Sequence, residues 1–143
     1  MKLSKNFELK EFLASQTATR RGFTEQFNPP QQIIDNLQYL VTNLLQPIRD
    51  NFGPLHISSG YRCPRLNSAI GGSSTSDHLL GFAADIDLGD AKNLELLNWI
   101  RESKLPFDQL INEFPNKLGQ PDWVHISLRP KNNRNQFLTI GAR

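Results

Sequence analysis

The chain has 143 residues, 38% hydrophobic and 21% charged, a globular balance that excludes fibrous, linker-like and wholly disordered classes. Lys and Arg number 16 against 14 Asp and Glu, for a net charge of +2, and Arg20-Arg21 is the only notable basic cluster, which argues against a nucleic-acid partner. The single cysteine, Cys63, rules out an internal disulfide, and apolar runs of a few residues fall far short of the roughly 20 that membrane insertion requires.

In chain order, the opening MKLSKNFELKEFLAS carries a charge every few residues and lacks the apolar stretch of a secretory signal, so export by the usual route is not expected. Residues 7–15 predict a short helix with Phe7, Phe12 and Leu13 inward, followed by polar, irregular chain from Gln16 to Asn28. One domain spanning residues 1–143 is expected, with residues 1–30 as an extension of no legible role. Pro29-Pro30 opens the clearest helix, because Ile33, Ile34, Leu37, Leu40, Val41, Leu44, Leu45 and Ile48 recur at helical spacing. Pro47 inside that pattern predicts a break or kink, with the last turn ending before Gly53-Pro54.

From Leu55 the pattern changes to strand-like segments at 55–59, 83–88, 109–114, 123–128 and 136–140, with a loop at Gly71-Gly72-Ser73-Ser74-Thr75-Ser76. A helix from about Ala91 to Glu102, capped by Asp90, buries Leu94, Leu97 and Ile100. Helices first, then strands around one more helix, predict an α+β domain. Its sheet is mostly antiparallel and packs against the N-terminal and central helices.

Two of the three histidines keep chemically suggestive company. His78 follows the Gly/Ser loop and precedes Asp85 by seven residues; His125 lies in a β-rich stretch, three residues after Asp122. Two imidazoles and a carboxylate are a recurrent catalytic zinc set that leaves one position for water. Zinc there would lower the pKa of bound water and polarise a carbonyl, a nearby carboxylate would move protons, and an arginine would balance an oxyanion. Asp122 and Arg62 are the candidates for those last two roles.

The segments Ser59-Gly60-Tyr61-Arg62, Ser76-x-His78-x-x-Gly81-x-Ala83-x-Asp85 and Asp122-x-x-His125 resemble, in order and spacing, the zinc D-Ala-D-Ala carboxypeptidase family, the M15 peptidases. That family includes D,D-dipeptidases and phage endolysins that cut L-alanyl-D-glutamate bonds. The resemblance implies a small α+β fold of the DD-peptidase/hedgehog-like kind. It implies that His78, Asp85 and His125 ligate Zn, that Asp122 is the general base, that Arg62 stabilises the transition state, and that Ser76 orients substrate or loop. The phrases LQPIRDNFGP, SSGYRCPRLNSAIGG and FDQLINEF look most like small, stand-alone phage-type members, for which a peptidoglycan peptide is the expected substrate. Many members carry glutamate at the base position; Asp122 is one methylene shorter, which leaves Glu113 as a rival.

Other readings stay open at this stage. Asp85 and Asp87 stand two apart on a predicted strand and share a face, so either reaches a metal, with support of a histidine as the alternative role for Asp87. Asp122 and His125, three apart, fall on opposite faces of a regular strand, so joint action requires a turn or bulge before Trp123. Tyr61 and Trp123 are candidate walls of the substrate cleft, Ser76 also suits a turn, and His56 reads as a plain polar residue. The expected enzyme is a D,D-carboxypeptidase or an L-alanyl-D-glutamate-type endopeptidase. A non-catalytic wall-binding or structural phage-particle module is a second hypothesis, and a dipeptidase acting on free D-Ala-D-Ala a third. Without an export signal, the expected location is the cytoplasm of the producing cell, with action on the wall after release, or the virion, with virion proteins as partners.

Overall fold

The long apolar pattern after Pro30 folds as α3 (Gln31–Leu40), a π-helical turn (Val41–Leu45) and α4 (Gln46–Phe52), which run on without interruption. Of the break or kink expected at Pro47, no break occurs, and the irregularity takes the form of a ladder that widens just ahead of it: the Gln46 N–H donates to the Val41 carbonyl, five residues back. Proline offers no donor and crowds the carbonyl four residues back, and one widened turn absorbs both defects. Leu37, Leu40, Val41, Leu44, Leu45 and Ile48 are thereby all fully buried.

The computed structural model describes all residues, Met1–Arg143. Five strands, β1 (His56–Ser59), β2 (Ala83–Asp87), β3 (Gln109–Glu113), β4 (Trp123–Ser127) and β5 (Gln136–Ile140), form one sheet in the order β1-β2-β4-β3-β5. Every pairing is antiparallel except that of β3 with β5. The α+β class and mostly antiparallel sheet are as the sequence predicts. Alternation splits the sheet into two faces. Ala84, Ile86, Leu110, Val124 and Ile126 point into the helical core and are fully buried. Asp85, Ile111, Glu113, Trp123 and His125 project from the other face. After α5 (Pro64–Ala69), which follows β1, α6 (Asn93–Glu102) starts later than expected and buries Leu96, Leu97 and Ile100, with Leu94 half-buried. Asp90 does not cap it; its carboxylate pairs with Arg143 at 3.1 Å.

Residues 1–30 are part of the core. The stretch expected to be irregular from Gln16 to Asn28 holds α2 (Gln16–Arg21) and a 3-10 turn (Thr24–Phe27), after a short α1 (Leu9–Leu13). Ser15 Oγ accepts from the Ala18 N–H at 3.1 Å and starts α2; Gly22, at φ 68°, ends it. Leu3, Phe7, Phe12, Leu13, Ala18 and Phe23 join the same apolar cluster as α3 and the sheet. Gln26, fully buried, donates through Nε2 to the carbonyls of Leu13 (2.9 Å) and Tyr61 (2.8 Å) and accepts through Oε1 from Cys63 N–H (2.8 Å). That one amide ties the N-terminal helices to the segment that carries Arg62. No helix is long and apolar enough to cross a membrane.

Candidate active site

Strand register assembles the site. Asp85 on β2 stands opposite His125 on β4, which in turn faces Ile111 on β3; the next row carries Trp123 opposite Glu113. A side-chain period of two sets all five on the open face.

His78 arrives from outside the sheet. A 3-10 turn, Asp77–Leu80, follows the Gly/Ser loop, and Ser76 Oγ caps it by accepting from the His78 N–H at 3.2 Å. His78 Nδ1 lies 2.7 Å from the Gly60 carbonyl oxygen. A carbonyl only accepts, so Nδ1 carries the proton and Nε2 is a bare lone pair. That Nε2 is buried without a hydrogen-bond partner. It sits 3.4 Å from Asp85 Oδ1, and His125 Nδ1 sits 3.0 Å from the same oxygen.

Three donor atoms, one each from His78, Asp85 and His125, all lie within 4.8 Å of one another. Neighbouring donors around a tetrahedral ion with bonds of ~2.0–2.1 Å are about 3.3 Å apart. The two separations to Asp85 Oδ1, 3.4 and 3.0 Å, bracket that spacing. A buried lone pair aimed at a carboxylate costs free energy, and a cation between them removes the cost. The residues therefore fit a divalent metal. Burial pushes the His78 imidazole below its ordinary pKa and keeps it neutral, as ligation requires. Burial opposes ionisation of Asp85, but the His78 and His125 imidazoles outweigh it and hold the carboxyl well below the usual range.

Arg62 is fixed through its backbone and its guanidinium. Its N–H donates to the His78 carbonyl at 3.0 Å, and Nη1 donates to Asn67 Oδ1 at 3.0 Å. Nε is buried and unpartnered. Desolvation lowers the guanidinium pKa while Asp85 and Glu113 pull it back up, so the group stays cationic. Arg62, His78, Asp85, Glu113, Trp123 and His125 line one cavity of about 390 Å3. A larger hollow of about 870 Å3 over α1 and α2, walled by Leu13, Ala14 and Phe27, contains none of these groups.

The two rival bases are placed differently. β3 and β4 pair in unbroken register from Leu110↔Ile126 to Glu113↔Trp123, and Asp122 N–H donates to the Glu113 carbonyl at 2.9 Å. Of the turn or bulge that Asp122 needs in order to join His125, the chain has a bend at Asp122 ahead of β4 and no bulge, and the bend does not bring the carboxylate into the cavity. Its carboxylate, 48% exposed, lies 3.7 Å from Arg143 Nη1 and does not line the cavity. Glu113 does, and burial, reinforced by the charge of Asp85, raises its carboxyl pKa toward that of a working base.

Ser76 and Trp123 border the cavity, Trp123 with its ring 5.4 Å from that of Phe114. Tyr61, 6% exposed, packs in the core and faces a separate hollow with Ser58 and Ser59. Asp87 supports no histidine: its Oδ1 accepts from Gly89 N–H and Asn93 Nδ2, each at 2.7 Å, and so holds the entry to α6. His56 is exposed on the edge strand β1. Sequence reasoning missed Arg134 and Gln109, which also line the cavity, because no local motif links them to the histidines.

A protein-family model described as Peptidase M15 matches residues 5–127, a span that includes the three donors, Arg62, Glu113 and most of the N-terminal segment. None of the curated proteins compared matches the chain.

Proposed function

We propose, from the premise that this chain belongs to the M15 peptidase family, that it is a zinc-dependent peptidase cleaving a peptide bond in the stem peptides of bacterial peptidoglycan. The observation that carries this reading is the bare Nε2 of His78. It faces Asp85 and His125 in a cavity that also holds a guanidinium and a half-buried carboxylate.

His78, Asp85 and His125 would hold the metal, and two imidazoles with one carboxylate suit zinc, which when bound supplies Lewis acidity and makes water a nucleophile near neutral pH. The Gly60 carbonyl fixes the His78 tautomer, so Nε2 is always presented in its ligating form. Glu113 takes a proton from the attacking water on a carboxylate oxygen and returns it to the departing amine nitrogen. Arg62, buried and held by Asn67, offers its remaining N–H groups to the oxygen that gains negative charge as the carbonyl becomes tetrahedral. Trp123 forms an apolar wall on the Glu113 side. The resemblance to small phage-type members supports action on the wall after release from the producing cell, or as part of a virion.

The test is digestion of purified peptidoglycan by the zinc-loaded chain, scored by new amino termini and by mass spectrometry of the fragments. The reading expects fragments that disappear with a chelator and return with zinc. No new termini, beside an active control hydrolase, sinks it in favour of a binding module. Cleavage confined to free D-Ala-D-Ala makes the chain a dipeptidase.

A further inference from the structure

We infer that Arg134 is the anion-recognising end of the same cleft and selects peptides bearing a free carboxylate one to two residues from the bond cleaved. This deepens the peptidase reading and rests on it.

Register places Arg134 away from the chemistry. Ile111 stands opposite His125, and Gln109, two residues earlier on β3, lies one row further along the open face, about 6.6 Å away at strand rise. Gln109 pairs with Gln136 of β5, and Arg134, just before that strand, borders the cavity beside it. Glu113 and Arg62 serve the reacting centre at the other end. The distance from the His125 row to the Gln109 row is that spanned by two residues of extended peptide.

The guanidinium is held ready. Arg134 Nε and Nη2 donate to the two oxygens of Asp108 at 3.1 and 2.7 Å, and Arg134 N–H donates to Asp108 Oδ1 at 2.8 Å. Asp108 is fully buried, so the fork is anchored from below, and its orientation costs little further entropy on binding. Nη1 is left for the cavity.

Charge alone does not decide the ligand, because Arg129 pairs with Asp77 at 2.9 Å and the four groups cancel two by two. Access decides it. The side chains of Arg134 and Arg129 are 46% and 32% exposed, whereas those of Asp77 and Asp108 are 4% and 0% exposed. Arg129 stands outside the cavity lining, and Asp77, which is part of it, is almost wholly buried, so a ligand entering this end meets the Arg134 guanidinium first, and an amine is repelled before it reaches either carboxylate. Arg134 braces Asp108 and has no part in the proton transfers, and its place in the cavity lining adds recognition to that structural role.

The experiment uses the full zinc-loaded chain and the wall peptide that it cleaves, synthesised in pairs with each side carboxylate or terminal carboxylate as the free acid or the primary amide. One acid is expected to exceed its amide in kcat/KM by at least about tenfold, the yield of one charge-assisted hydrogen bond. In Arg134→Gln that ratio falls toward one, chiefly through loss on the acid. Equal rates for every acid and amide pair, or a ratio that Arg134→Gln leaves intact, overturns the subsite while leaving the peptidase reading in place. Cleavage of no wall peptide overturns the peptidase reading, and the subsite falls with it. Should Arg134→Gln fail to fold because Asp108 loses its partner, Arg134→Lys, which keeps a cation beside Asp108 without the two-pronged fork, carries the test: its acid-to-amide ratio is expected to fall, and a ratio equal to that of wild type overturns the subsite.

Discussion

The Gly60 carbonyl that holds His78, 2.7 Å from its Nδ1, belongs to a residue wedged against Phe12, where a Cβ would meet the Phe12 carbonyl oxygen at 2.7 Å. The backbone oxygen that sets the histidine tautomer is thus positioned by the N-terminal helix. Gly60→Ala must displace one or the other. We expect a lower Tm and about 10- to 100-fold weaker metal binding, the usual effect of losing a partner behind a ligand. Calorimetry and metal titration on the same sample check both; unchanged metal affinity in a folded variant would show that this contact is not what presents Nε2.

Glu113→Gln is expected to keep metal and lose about 10²- to 10⁴-fold in kcat, while Asp122→Asn stays within a few-fold of wild type. Steady-state kinetics with elemental analysis of each variant checks this. The opposite ranking would return the base role to Asp122 and require β4 to rearrange when substrate binds.

Metal should stabilise the fold by mass action, since the unfolded chain scatters the three donors. Adding zinc to the stripped protein is expected to raise Tm. The rise should vanish in His78→Ala and His125→Ala and persist in Asp87→Asn, whose carboxylate serves the turn before α6. A zinc-dependent shift of wild-type size in His125→Ala would exclude this donor set.

Asp108 contributes acid sensitivity at the far end of the cleft. Burial opposes its ionisation, but hydrogen bonds from Arg134 and the charge of Arg129 override that and lower its pKa from 3.8 to about 2. A depressed carboxyl stabilises the fold above its unfolded pKa and ceases to do so as pH falls through the folded one. The loss therefore falls between about pH 4 and pH 2 and amounts to roughly 1–2 kcal/mol, discounted for the half-exposed Arg134. Chemical unfolding across that range should show this slope in wild type and a shallower one in Asp108→Asn.

The convergence of His78, Asp85 and His125 was legible in the sequence because each residue sits in a motif with its own spacing, and the strands that carry two of them alternate plainly. The base was harder. Asp122 satisfies a spacing pattern, yet strand periodicity alone already set it across the sheet from His125, and the regular β3·β4 register leaves that conflict standing. Glu113 lies on the correct face only because β3 pairs with β4 in that register, which no local pattern encodes. Pro47 predicted a break by local rules; the burial of Leu44, Leu45 and Ile48 favours a continuous helix with one wide turn. The role of residues 1–30 is not legible in the sequence because their apolar residues are sparse and irregularly spaced, and the fold uses them one at a time. The Arg129–Asp77 pair spans 52 residues of sequence and carries no motif.

Gln26 has a consequence for motion. With its amide bridging Leu13, Tyr61 and Cys63, the first helices and the Arg62 segment cannot open separately without stranding buried polar groups. Amide deuterium uptake at Tyr61 and Cys63 should therefore keep pace with that at Ala18 and Phe23, as one cooperative unit. The guanidinium in the cleft is as rigid as a stretch of chain some forty residues before it.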